Sequence, residues 1–163
     1  MEKELKIRIY GDSVLSKVAK PVLKITPEHR ELLSRMAQLM YEVSGVGLAA
    51  NQIGVRESMF VADVGSGLYK LINPKIVRLE GAQVMEEGCL SVPGIAVKIK
   101  RAKKVKLQAL NESGEPVLIE AEDLLARVFQ HELDHLNGIL IINRASLLER
   151  MRLKKKLKNF KEI

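Results

Sequence analysis

The amino-acid sequence predicts an α+β fold: mostly antiparallel strands packed around a central buried helix, with a further helix at the C-terminus. Three observations predict it. Ile95, Val97 and Ile99, then Val105, Leu107 and Ala109, repeat with the period of two that marks half-buried strands. Helical spacing is confined to the flanks, in Leu32, Met36, Leu39 and Val43 and again in Leu125, Phe129, Leu133 and Leu136. Strands gathered in the middle, rather than alternating with helices, favour α+β over repeated βαβ units.

The elements follow in chain order. Leu5, Ile7 and Ile9 alternate with charged residues and predict a short edge strand. Residues 14–22 are irregular, with room for one helical turn. Thr26-Pro27-Glu28 starts a helix: a hydroxyl at the N-cap, proline at the first helical position and an acid near the positive end of the dipole. That helix runs to about Glu42; His29 in its first turn reads as solvated. A glycine-rich loop spans residues 45–54, and Met59-Phe60-Val61-Ala62 has the composition of a buried strand. Asn111-Glu112-Ser113-Gly114 has the chemistry of a hairpin turn, from which Val117-Leu118-Ile119 returns. A helix from about residue 122 to 137 ends at Gly138, and a second helical pattern begins near Ser146.

Composition bounds the function. At 163 residues, 47% hydrophobic and 29% charged, the chain is predicted to form one domain over residues 1–163, with a core that needs no disulfide or structural metal. A single cysteine excludes an internal disulfide framework. The first ten residues lack the apolar stretch of a secretory signal. The longest apolar run, Ile139-Leu140-Ile141-Ile142, is far below the ~20 residues of a membrane span. These features predict a cytoplasmic protein with no membrane partner. The net charge is +7, of which residues 146–163 carry +5. Leu153, Leu157 and Phe160 form an apolar stripe on that basic C-terminal helix. It either docks with its lysines in solvent or steers the protein toward ribosomal RNA. An RNA-binding module would explain the charge alone, but residues for base stacking are sparse.

The sharpest local signal is Gln130-His131-Glu132-Leu133-Asp134-His135. Residues four apart on a helix differ by roughly 40° around the axis and about 6 Å along it, so His131 and His135 share a face and can hold one metal. Glu132 lies about 100° round from His131, where a proton shuttle belongs. Apolar residues cover the adjoining sides, and such groups are costly to bury unless paired or ligating a metal. A catalytic site of this kind wants a third protein ligand. Cys89, in Glu87-Gly88-Cys89-Leu90-Ser91, could supply a thiolate suited to zinc or ferrous iron, or could be a small buried hydrophobe. A zinc endopeptidase would instead recruit a downstream ligand, for which Glu149 is available. The glycine-rich loop lacks the Gly-Lys-Ser/Thr ending of a phosphate loop. Its small residues would let another backbone approach, and the Gln52 carboxamide could polarise a carbonyl. It could equally be a plain connection with a surface glutamine.

Together the three segments resemble the peptide deformylase family. Its Gly-x-Gly-x-Ala-Ala-x-Gln loop, Glu-Gly-Cys-Leu-Ser segment and Gln-His-Glu-x-Asp-His helix stand complete and in order at residues 45–52, 87–91 and 130–135. Gly11-Asp12-Ser13 replaces a proline-containing turn common in the family, and Asn143 stands where aspartate is common. The resemblance implies removal of the formyl group from the formyl-methionine of nascent polypeptides, with release of formate. It implies one divalent metal, generally ferrous iron, with zinc, nickel or cobalt able to replace it, bound by Cys89, His131 and His135. Glu132 would be the general acid/base, and Gln52 with the backbone N–H of Leu90 would stabilise the oxyanion. Val46, Gly47 and the Gly88–Leu90 loop (residues 88–90) would pair with the substrate backbone, and Val46, Leu124 and Val128 would receive the methionine side chain. Glu87 would orient a ligand histidine. Arg101 is the expected ion-pair partner of Asp134, with Arg127 the alternative on the same helix face.

Overall fold

In the computed structural model, which describes residues 3–160, the middle of the chain forms two antiparallel sheets. After a short 3-10 turn at Ser13–Ser16, α1 spans Pro27–Glu42. The glycine-rich stretch then becomes β1, Gly47–Ala49, and a 3-10 turn, Ala50–Ile53. Strands β2 (Met59–Ala62), β3 (Tyr69–Glu80), β4 (Gln83–Cys89), β5 (Val92–Arg101), β6 (Lys104–Leu110) and β7 (Pro116–Glu122) follow. The chain continues through α2 (Asp123–Leu136), the single turn α3 (Ile141–Arg144) and α4 (Leu147–Asn159). One sheet has the order β1-β2-β3-β6-β7 and the other is the β4-β5 hairpin.

Strand periodicity distributes the core. Phe60 and Ala62 of β2 face α2, while Met59 and Val61 face Leu33, Met36 and Met40 of α1. Both faces of β2 are thus buried, as its uninterrupted apolar run predicts. Phe129 of α2 packs its ring 5.7 Å from Phe60 and 5.4 Å from Tyr69. Every residue from Ala126 to Leu136 is buried or half-buried, so α2 runs between the sheet and the hairpin. On the hairpin's far side, Val97 and Ile99 of β5 pack with Ile141, with Leu153 and Leu157 of α4, and with Phe160 at its C-terminal cap. The apolar stripe of the basic helix is docked, as the first of its two readings expects. Lys161, part of the basic tail's charge, lies outside the described residues.

Two expectations fail. Leu5, Ile7 and Ile9 form no strand. The Arg8 N–H donates to Gln52 O at 2.6 Å and the Tyr10 N–H to Ser91 O at 2.8 Å. One acceptor lies in the 3-10 turn after β1 and the other in the turn between β4 and β5, so no continuous ladder forms; Leu5 and Ile7 alternate inward because they pack beside the α1 core. His29 is not solvated. Its Nδ1 accepts the Thr26 N–H at 3.1 Å and its Nε2 lies 3.0 Å from Glu57 Oε1. The ring caps α1 and ties it to a residue 28 positions away, a partner that local pattern does not reveal.

Candidate metal centre

Three local features bring the site together. The α2 spacing sets His131 and His135 on one face, with ring centroids 4.8 Å apart. The hairpin end of β4 brings Cys89 against that face, through the irregular step between Gly88 and Cys89. The 3-10 turn after β1 carries Gln52 inward, where it is 1% exposed. Gln130 fastens α2 to the β5-β6 corner: its Oε1 accepts the Ala102 N–H at 3.0 Å and its Nε2 donates to Ala102 O at 2.9 Å.

The donor atoms converge. Cys89 Sγ lies 3.3 Å from His135 Nε2, which lies 3.1 Å from His131 Nε2. All three atoms sit within 4.8 Å of one another. At these distances the three atoms can share protons or, once deprotonated, one cation, and a thiolate with two imidazoles suits zinc or ferrous iron. The residues therefore fit a divalent metal. Glu149 does not join this cluster.

Surrounding groups set the state of these side chains. His131 Nδ1 lies 3.0 Å from Glu87 Oε1, which leaves Nε2 to face Cys89 and His135. Burial works against charge on Glu87, but hydrogen bonds from His131 and Arg101, and the Arg101 charge, hold its carboxyl down at about 2. Arg101 donates to Glu87 through Nε at 2.7 Å and Nη2 at 3.0 Å, and to Asp134 through Nη1 at 2.8 Å. The expected Arg101–Asp134 pair is present. Arg127 turns instead to Glu87 and to the carbonyls of Ile99 and Gln83. Burial, reinforced by the neighbouring His131 and Arg101 charges, pushes His135 well below its ordinary value, toward the neutral form that ligates metal.

Glu132 is 2% exposed, and burial raises its carboxyl to about 7. Its Oε2 has no hydrogen-bond partner among the described residues. A buried carboxylate left open in this way is suited to a reacting molecule. Gln52 Oε1 accepts the Ala49 N–H at 2.9 Å, while its Nε2 donates to Ser91 Oγ at 3.1 Å and points toward Cys89 Sγ at 3.8 Å. It is a fixed buried group, not a surface glutamine.

A cavity of about 420 Å³ opens beside these groups. Val46, Gly47, Gly88, Leu90, Leu124 and Val128 all line it, together with Gln52, Cys89, His131 and Glu132. Of the expected site residues only His135 lies outside the lining, 1% exposed beneath it. Val46 and Leu124 stand at its mouth, 44% and 47% exposed. The sequence reading missed Met85, which also lines the cavity, and Asn51, whose side-chain N–H donates to His135 O. It also missed Arg144, on Asp134. Ser91 had a signal, as the last residue of the cysteine motif; the others had none.

Comparison with known proteins agrees with this geometry. The family model for polypeptide deformylase matches residues 4–151. Peptide deformylase from Carboxydothermus hydrogenoformans is 53% identical over 140 residues, 86% of this chain and 92% of that one. The crystal structure of peptide deformylase from Thermotoga maritima superposes with a TM-score of 0.86 at 49% identity, covering 89% of this chain and 99% of that one. A peptide deformylase from Synechococcus elongatus in complex with actinonin gives a TM-score of 0.88 at 40% identity, covering 96% and 88%.

Proposed function

The chain belongs to the peptide deformylase family, and from that premise we propose how its residues divide the work. The enzyme is a metal-dependent hydrolase that removes the N-formyl group from nascent polypeptides, releasing formate. Residues 1–163 act as one catalytic domain in the cytoplasm. Among the described residues, no helix is long and apolar enough to cross a membrane. The observation that carries the assignment of roles is the convergence of Cys89, His131 and His135, with the open Glu132 carboxylate beside them.

Cys89, His131 and His135 hold the metal, ferrous iron in the cell, with zinc, nickel or cobalt able to use the same donors. Bound there, the metal supplies Lewis acidity and lowers the pKa of a water molecule. Glu132 takes a proton from the attacking water and passes it to the amine that leaves. Its burial-raised carboxyl suits both halves of that transfer. Gln52 Nε2 and the Leu90 N–H donate to the carbonyl oxygen as it gains negative charge. The formyl-methionyl backbone lies along Val46 and Gly47 as an added strand, with the Gly88 loop opposite. The edge position of β1 supports this. Its methionine side chain enters the cavity between Val46, Leu124 and Val128. The basic face of α4 draws the enzyme toward the ribosome, with no stable nucleic-acid partner required.

The test is formate release from a formyl-methionyl peptide by protein loaded anaerobically with ferrous iron. X-ray absorption on the same sample should report one sulfur and two nitrogen ligands from the protein. Absence of turnover rejects the reading of the reaction; absence of sulfur rejects Cys89 as a ligand.

A further inference from the structure

The ion pairs around the centre continue past the residues that touch it. Asp134 carries a second arginine: Arg144 Nη2 donates to Asp134 Oδ1 at 2.7 Å and Arg144 Nε to Asp134 Oδ2 at 3.0 Å. This is a two-pronged guanidinium–carboxylate pair, the geometry in which such pairs are strongest and most directional. Asp134 passes through Arg101 to Glu87, and Glu87 meets His131 Nδ1. Five side chains thus form one line of charge-assisted hydrogen bonds, from Arg144 at the surface to a metal-binding histidine. Arg144 is the last residue of α3, between α2 and the C-terminal helix. Arg150 of α4 holds the peptide on either side of it, donating to Ala145 O at 3.2 Å and to Asn143 O.

We propose that Arg144 is a positioning residue for the metal centre, fixing the angle of His131 through Asp134, Arg101 and Glu87. The inference rests on the reading of Cys89, His131 and His135 as the metal site. The physical ground is the shared carboxylate. With both oxygens of Asp134 occupied by Arg144, Arg101 Nη1 has one direction in which to bond Oδ2. Its other two nitrogens are thereby aimed at Glu87. Without Arg144, Asp134 keeps only its bond to Arg101 and can rotate, and Arg101 follows it; Glu87 stays held at Oε2 by Arg127, but Oε1 loses the fixed Arg101 donor that sets its direction toward His131 Nδ1. Groups that orient metal ligands from behind typically change metal affinity by about 10–100-fold when removed. Three residues stand between Arg144 and His131, which places its effect near the lower end of that range.

The Arg144 side chain is 46% exposed, so a small cation can reach the gap left by its removal. The experiment measures zinc and cobalt affinity by chelator competition, the visible absorption of the cobalt-loaded protein, and kcat and KM on a formyl-methionyl peptide. Arg144→Ala should bind metal about tenfold more weakly. It should alter the cobalt spectrum and lower kcat without raising KM, because Arg144 does not line the substrate cavity. Millimolar guanidinium should restore affinity and spectrum where sodium at the same ionic strength does not. Arg144→Lys, which keeps the charge and loses the two-pronged bond, should fall between the two and serves if the alanine variant does not fold. Wild-type affinity and spectrum in either folded variant overturn the proposal, as does a loss that guanidinium leaves unchanged. Failure of the wild-type protein to bind metal through sulfur and two nitrogens overturns the reading of the centre and this inference together.

Discussion

At Gly47 a β-carbon would collide with the Glu132 carboxylate, its γ-carbon lying 3.0 Å away. The glycine is there for close approach: β1 runs directly beside the Glu132 side chain, for which we proposed proton transfer, and any side chain at this position would push it aside. Gly47→Ala should therefore act on chemistry more than on folding. Displacing a catalytic group by about 1 Å can cost on the order of a hundredfold in rate. The expected result is a fall in kcat of that order, with melting temperature and metal content close to wild type. A variant with unaltered kcat would show that Glu132 has room to move without loss. Glu132→Gln keeps the shape of the side chain and removes its ability to carry a proton. It should retain metal and lose roughly a hundredfold or more in kcat.

Among the elements, α2 depends most on how it ends. Gly138 stops it with φ of +73°, and a β-carbon there would stand 2.6 Å from Ser16 O. The same corner brings the Ala19 N–H to Leu136 O at 2.8 Å. Alanine at this position meets both a left-handed backbone and an immovable carbonyl. Gly138→Ala should destabilise by about 2 kcal/mol. In a chain of this size that lowers the melting temperature by roughly 4–8 °C, readable by calorimetry. The C-terminal helix α4 has a docked apolar side and an exposed basic side. Leu153, Leu157 and Phe160 dock on the hairpin, while Lys154, Lys155 and Lys158 remain exposed. Replacing these three lysines with alanine should weaken ribosome binding, and the salt dependence of binding should flatten. Peptide turnover should be unaffected, since none of the three lines the cavity. Unchanged ribosome affinity would leave α4 a structural helix.

Over the whole molecule, the buried charges join β4, β5, α2 and α3 into one unit. Glu87 accepts from Arg101, Arg127 and His131, and Asp134 from Arg101 and Arg144. Glu87 and Arg101 are each less than 10% exposed, so neither is exchanged cheaply for a solvated state. Removing one member of such a buried set typically costs about 3–5 kcal/mol, because the partner charges stay behind. Glu87→Gln should lower the melting temperature by roughly 6 °C or more and weaken metal binding at once. A loss of metal affinity with no loss of stability would separate the ligand-orienting role of Glu87 from its structural one.

What depends on near neighbours along the chain can be read without knowing how the elements pack. The spacing of His131 and His135 sets them on one side, with Glu132 about 100° round from His131, because helical geometry is local. The alternation in β5 and β6, the Asn111–Gly114 turn (residues 111–114) and the glycine stop after α2 are local for the same reason. The three motifs, read as a resemblance, also named Cys89, His131 and His135, which converge, and Gln52 and Glu132 beside them. Tertiary structure alone decided the rest. Leu5, Ile7 and Ile9 have a strand's pattern without a strand, because a ladder needs a partner edge and the neighbouring Arg8 and Tyr10 N–H groups donate to two separate places, Gln52 and Ser91. The His29 contact with Glu57 spans 28 positions, that of Arg101 with Asp134 spans 33, and that of Asn51 with His135 spans 84. Arg144 is only ten residues from Asp134, yet its place in the line to His131 depends on Glu87, brought there by the hairpin. Periodicity reports which face of an element is buried. Which charged group waits across the interface is set by how the elements pack, and that information is spread over the whole chain.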